Sequence, residues 1–256
     1  MPTPFYHLSI ADEILSHPGL ADPLRQFLGA NASAFLFGKV APDVQVVSGE
    51  RREVTHFYTL PPADNTPAWQ RMLKANPSLA DPAEMSSQRA AFLAGYCCHL
   101  QADEHWLFNL FIPVFGPDAQ WADFRQRLYL HNVLRAYLDH QVLSNLSPQA
   151  GPTLQAAQPE DWLPFAAQAH LIEWRDYLAA QLQPGAAIQT IEVFAERQGL
   201  PAESFRELLG SKDKMKREIF AHISKQKLSS FRAQVVEKNI ALLTKYLSSH
   251  PALQQG

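Results

Sequence analysis

Histidine and aspartate are residue types that bind a divalent cation such as zinc, through imidazole nitrogen and carboxylate oxygen, and the chain carries them at several points, His7, Asp43, His56, His99 and Asp103 among them. The most informative two lie inside residues 91–111, AFLAGYCCHLQADEHWLFNLF. This is the most apolar long segment of the chain, and it contains no proline. At 100° per residue, Gly95, His99 and Asp103 stack on one face of a helix. Buried there, the imidazole and the carboxylate need a partner, because unpaired polar groups in an apolar wall cost a few kcal/mol and unpaired charges more. A bound cation supplies that partner, and so does an ordinary hydrogen bond; the spacing alone leaves both open. Gly95 has no side chain to obstruct a ligand or a crossing helix. His105 points about 120° away from His99, so it reads as a boundary or surface residue and ranks lower as a ligand to a neighbouring ion.

The other candidates come from separate elements. Asp43 leaves the apolar stretch 34–45, AFLFGKVAPDVQ, at a break made by Gly38 and Pro42, and a turn fixed by a packed scaffold is a common place for a binding group. His56 follows a polar insert, residues 48–53, in the apolar run VTHFY. His7 precedes the first expected helix, where its ordinary role is capping. On the pattern of residues 121–146, His131, Arg135 and Asp139 form a polar edge beside an apolar stripe, either as an internal network or as a functional group.

The elements that must position these residues are helical throughout. Residues 5–28 read as a helix pair broken at Pro18 and Gly19. Residues 61–82 read as a long connection around a short amphipathic piece. Residues 91–111 form the central buried helix, which a turn at 113–118 stops, and 121–146 form another. A Pro- and Gly-containing linker covers 147–160, and 161–182, 186–198, 203–209 and 212–247 are helical in pattern. The expected fold is all-α: a metal-binding part over 1–146, the linker, and a C-terminal helical extension over 161–256 packing on the first part.

Composition narrows the function classes. The chain has 256 residues, 46% of them hydrophobic, and a net charge of −3, enough for a large core and no indication of nucleic acid as partner. No signal peptide is visible, and polar groups interrupt every apolar run long enough to span a membrane. Cys97 and Cys98 are adjacent and cannot form an ordinary bridge with each other, which favours a reducing, cytoplasmic setting. Residues 212–245 carry nine Lys or Arg against Asp213, Glu218 and Glu237; they read as a solvated face, with a weak contact to an anionic membrane surface as the alternative.

Taken in order, His7, GKVAPDV, EVTHFY and AGYCCHLQADEHW resemble the zinc-dependent phospholipase C family, the all-helical hydrolases that also include single-strand-specific nucleases. The resemblance covers roughly residues 5–146. It implies a multi-helix bundle with a metal site between helices, in which Asp43, His56, His99 and Asp103 surround one zinc ion and Asp103 bridges towards a second ion that His7 also serves. It further implies hydrolysis of a small-molecule or lipid phosphate ester, a phosphodiesterase or phospholipase C activity. Two positions depart from the family pattern: Asn109 stands where a further histidine ligand is expected, and Arg135 where a carboxylate follows His131. A third site is therefore expected to be absent or rebuilt from His131 and Asp139 with His105. The expectation is one tight Zn²⁺ with an optional second, Asp43 doubling as general base, and Arg135 binding the substrate phosphate. The rival expectation is a non-catalytic metal-binding helical protein that serves as an interaction or anionic-surface-binding module.

Overall fold

The computed structural model describes residues 1–60 and 64–254; residues 61–63, where the long connection was expected to begin, lie outside them. All regular structure among the described residues is helical, as the apolar periodicity required. In order these are α1 (Pro4–Ser16), α2 (Asp22–Ala30), α3 (Ala32–Gly38), a 3₁₀ turn (Ala41–Val44), α4 (Gln45–Ser48), α5 (Arg52–His56), α6 (Ala68–Ala75), α7 (Ser87–Trp106), a π-helical extension (Leu107–Phe115), α8 (Phe124–Leu143), α9 (Ala150–Gln155), α10 (Gln168–Gln181), α11 (Thr190–Gln198), α12 (Ala202–Leu209), α13 (Lys212–Glu218) and α14 (Lys225–Leu247). No described helix is long and apolar enough to cross a membrane.

Helix α7 is the axis of the core. Every residue from Ala90 to Leu100 is buried on it, so over that stretch it has no solvent face, which explains why the sequence there shows no amphipathic stripe. It starts four residues earlier than expected because the Ser86 hydroxyl caps it by accepting from the Arg89 amide,. It does not stop at Pro113 either: the chain widens into π-turns from Leu107 to Phe115, a geometry that absorbs a residue lacking an N–H.

Helix α3 crosses α7 almost backbone to backbone. A Cβ on Gly95 would lie 2.4 Å from the Phe35 carbonyl oxygen, and one on Gly38 2.0 Å from that of Phe92. Of the two uses open to Gly95, the fold shows the crossing helix. Helix α14 packs along another side of α7. Between them the Lys39 ammonium, fully buried, donates to Asn239 Oδ1 at 2.9 Å, and Asn239 donates onward to Gln101 at 3.0 Å.

Three local expectations differ from the structure. His7 sits within α1 instead of ahead of it, because Thr3 caps the helix and Pro4 occupies its first position,. The segment 147–160 includes α9, whose Gly151 and Leu154 are buried; its small and proline residues suit close packing as well as a loop. Residues 212–247 form two helices, since the Ser224 hydroxyl caps a new start by accepting from the Lys227 amide,.

Candidate metal centre

His99 is placed by the α3–α7 crossing. The crossing brings the Lys39 carbonyl, just past the end of α3, to 2.8 Å from His99 Nδ1. An N–H donated there fixes the tautomer and leaves the Nε2 lone pair facing inward. One turn on, Asp103 presents Oδ2 at 3.7 Å from that Nε2. Helix α5 adds His56, whose Nε2 lies 3.5 Å from Asp103 Oδ2 and 3.5 Å from Asp43 Oδ1; its Nδ1 is 2.9 Å from the Thr55 hydroxyl. Asp43 comes from the 3₁₀ turn after α3. His7, from α1, stacks on His99 at 3.8 Å between ring centroids, and its Nε2 meets the other Asp103 oxygen, Oδ1, at 3.2 Å.

This arrangement fits zinc on two counts. The buried Nε2 atoms of His56 and His99 have no hydrogen-bond partner among the described residues, nor has Nδ1 of His7, and such orphans are costly unless something satisfies them. A tetrahedron with metal–ligand bonds near 2.0–2.1 Å has ligand–ligand edges of about 3.4 Å, and the 3.5, 3.5 and 3.7 Å spacings are close to that. Two overlapping groups emerge, Asp43–His56–His99 and His7–His99–Asp103.

The electrostatics agree. Burial pushes His7 down to about 3, helped by the His99 ring and opposed by Asp103. Burial and then the Arg52 charge push His56 down to about 4. Both imidazoles are therefore neutral at pH 7, the form that donates a lone pair to a metal. Burial alone would raise the Asp43 carboxyl, but the adjacent His56 ring, then His99 and the Arg52 charge, hold it well below the usual range. Asp103 is likewise held low against its burial, chiefly by His99 and Arg52.

Arg52 went unnoticed as a site residue in the sequence. Its guanidinium bonds Asp103 Oδ2, lies 3.4 Å from Asp43 Oδ1 and donates to the Tyr58 hydroxyl at 3.2 Å. The usable signal was spacing, since Arg52 stands four residues before His56 and so shares its helix face.

Three further candidates lie apart from this cluster. His105 contacts Gln234 Oε1 at 3.1 Å through Nε2 and stacks on Phe231. His131 accepts from the Trp106 indole at 2.9 Å and is packed among Phe111 and Phe115; its Nδ1 is buried without a partner among the described residues. Asp139 accepts hydrogen bonds from the Thr3 and Thr190 hydroxyls. Arg135 belongs to a different feature, a cleft that also reaches Asp43.

Buried His and Asp side chains gathered from α1, the 3₁₀ turn, α5 and α7 of an all-helical protein define a candidate metal centre between helices. Residues 6–106, a span that holds all five clustered residues, match the family model for zinc dependent phospholipase C. No curated protein and no solved structure gives a significant match to the chain.

Proposed function

We propose that the protein is a zinc-dependent hydrolase of a phosphate ester, phospholipase C-like in its chemistry. The observation that carries this reading is the set of buried, partnerless imidazole nitrogens facing two carboxylates at the edge lengths of a zinc tetrahedron. Asp43, His56, His99 and Asp103 would hold one ion, and His7 with the second oxygen of Asp103 would hold a weaker one. Zinc bound there supplies Lewis acidity, making water acidic near neutral pH and stabilising charge that develops on phosphoryl oxygen.

The chain's own residues supply the rest. Arg135 offers a permanent cation to the substrate phosphate. Asp43 borders both cluster and cleft, so it is assigned the attacking water; its depressed pKa makes it an orienting acceptor more than a strong base,. The adjacent free thiols, both buried, favour a cytoplasmic setting. The basic residues of α13 and α14 are solvent-exposed apart from half-buried Arg232, and a weak contact with an anionic lipid surface is assigned to them.

Elemental analysis of the purified protein, paired with hydrolysis of model phosphodiesters at increasing Zn²⁺ or Mn²⁺, tests this. One tightly held equivalent is expected, lost with a drop in melting temperature in His99→Ala or Asp103→Ala. Retained metal and no hydrolysis at any metal concentration would move the reading to a non-catalytic metal-binding module.

A further inference from the structure

Tyr137, His140 and Gln141 share one face of α8, at i, i+3 and i+4,. Facing them, Leu209 at the end of α12, Met215 of α13 and Phe220 leave a groove of about 930 Å³, bordered at the start of α14 by Lys225. The floor is apolar. Met215 is buried, Tyr137, Leu209 and Phe220 are half-buried, and the Tyr137 and Phe220 rings meet edge to face at 5.3 Å. The rim is cationic: Lys212, Lys216 and Lys225 line it, and no described Asp or Glu does. Lys225 lies 5.3 Å from the Phe220 ring centroid. Among the described residues, none of the three ammonium groups makes a hydrogen bond or an ion pair. The groove is separate from the metal centre, since no clustered ligand lines it, and all its residues lie beyond the family match.

We infer that this groove binds a single-chain anionic amphiphile, of which a fatty-acid carboxylate is the simplest case. Lys212 and Lys216, one turn apart on α13, hold the carboxylate, and Tyr137, Leu209, Met215 and Phe220 receive the chain. Charge selects the head group, because three cations with no carboxylate beside them favour an anion. Volume selects the tail: about 930 Å³ is towards the upper end of the roughly 300–1,000 Å³ typical of small-ligand sites,, and the unbranched Met215 side chain adapts to a flexible chain. Shape separates this ligand from a bilayer surface. The exposed large apolar side chains, Val54, Leu60, Phe108, Ile112 and Phe124, all lie elsewhere, so the groove accepts a chain and has none of its own to insert.

Laurate, dodecyltrimethylammonium and butyrate, each below its micelle concentration, are titrated calorimetrically into the full chain. Laurate is expected to bind at least about tenfold more tightly than the cation with the same tail, and than the short anion. Lys212→Glu combined with Lys216→Glu, and separately Gln141→Trp, which fills the groove from α8, are each expected to weaken laurate about tenfold. All three positions are exposed, so the wild-type melting temperature should be kept. Unchanged laurate affinity in either variant, or equal affinity for the two dodecyl compounds, would overturn the inference. A chain that binds phosphatidylglycerol vesicles but not laurate would overturn it too, and would leave the surface contact of α13 and α14 standing.

Discussion

His99 Nδ1 lies 2.8 Å from the carbonyl oxygen of Lys39, which follows directly on the helix that crosses α7 at Gly95. The orientation of a candidate metal ligand is thus set by how closely two helix backbones approach. Anything that separates α3 from α7 should loosen the site before it unfolds the protein.

Gly95→Ala tests this directly. The new Cβ would stand 2.4 Å from the Phe35 carbonyl oxygen, and backbone cannot yield as a side-chain tip does. Destabilisation of about 3 kcal/mol is expected, together with weaker zinc binding in a chelator competition. Gly29→Ala on α2, where nothing lies within 4 Å, is the control; it should be neutral or stabilising by up to about 1 kcal/mol. Unchanged zinc affinity in Gly95→Ala would separate the helix crossing from the site.

Lys39 is fully buried with one side-chain acceptor, and burial pushes its pKa down to about 8. Because the folded chain releases this proton more readily than the unfolded one, stability gained from Lys39 rises as pH increases from about 8 towards 10.5. Below pH 8 the full penalty, about 3 kcal/mol, is present. The denaturation free energy of Lys39→Met relative to wild type should therefore fall as pH is raised through that window. A difference independent of pH from 7 to 10 would show that the buried ammonium carries no such penalty.

Asp139 is fully buried, and burial raises its carboxyl to about 6. Here the folded state holds the proton longer than the unfolded state, so the penalty is absent below about pH 4 and complete above about pH 6. Asp139→Asn removes it, and at pH 7.5 a gain of up to about 3 kcal/mol is expected, reduced by whatever Thr3 and Thr190 lose as hydrogen-bond donors. Zinc content should not change, since the carboxylate is occupied by those hydroxyls; loss of an equivalent would place Asp139 among the ligands.

Arg52→Gln removes a permanent charge that contacts oxygens of both Asp43 and Asp103. A neighbouring cation repels Zn²⁺ and competes for the same lone pairs, so zinc affinity should rise by about tenfold or more. A fall in affinity would mean that Arg52 organises the carboxylates and does not oppose the ion.

Much of this site could be read from the sequence, and the remainder could not for identifiable reasons. His99 and Asp103 stood out because a four-residue interval inside an apolar run is local information. Gly95 advertised a close approach by something, and Gly38 with Pro42 advertised the turn that carries Asp43. Lys39 and Trp174 gave no such sign: one acts through its backbone carbonyl, and the other reaches Val40 across 134 positions. The entry of α1 was legible in Thr3 and Pro4 but was placed too late, which put His7 outside the helix it belongs to. Helix α9 was hidden by a composition that suits loops and tight helix packing equally.

Lys39 and Val40 are consecutive in the chain, and each is tied to a helix beyond residue 106, the first to Asn239 of α14 and the second to Trp174 of α10. The stretch that matches the family model and the stretch that holds the site's backbone in place are therefore different sets of residues. Transplanting residues 6–106 onto another scaffold would carry every clustered ligand and leave behind the two struts that keep the backbone between His99 and Asp43 in place.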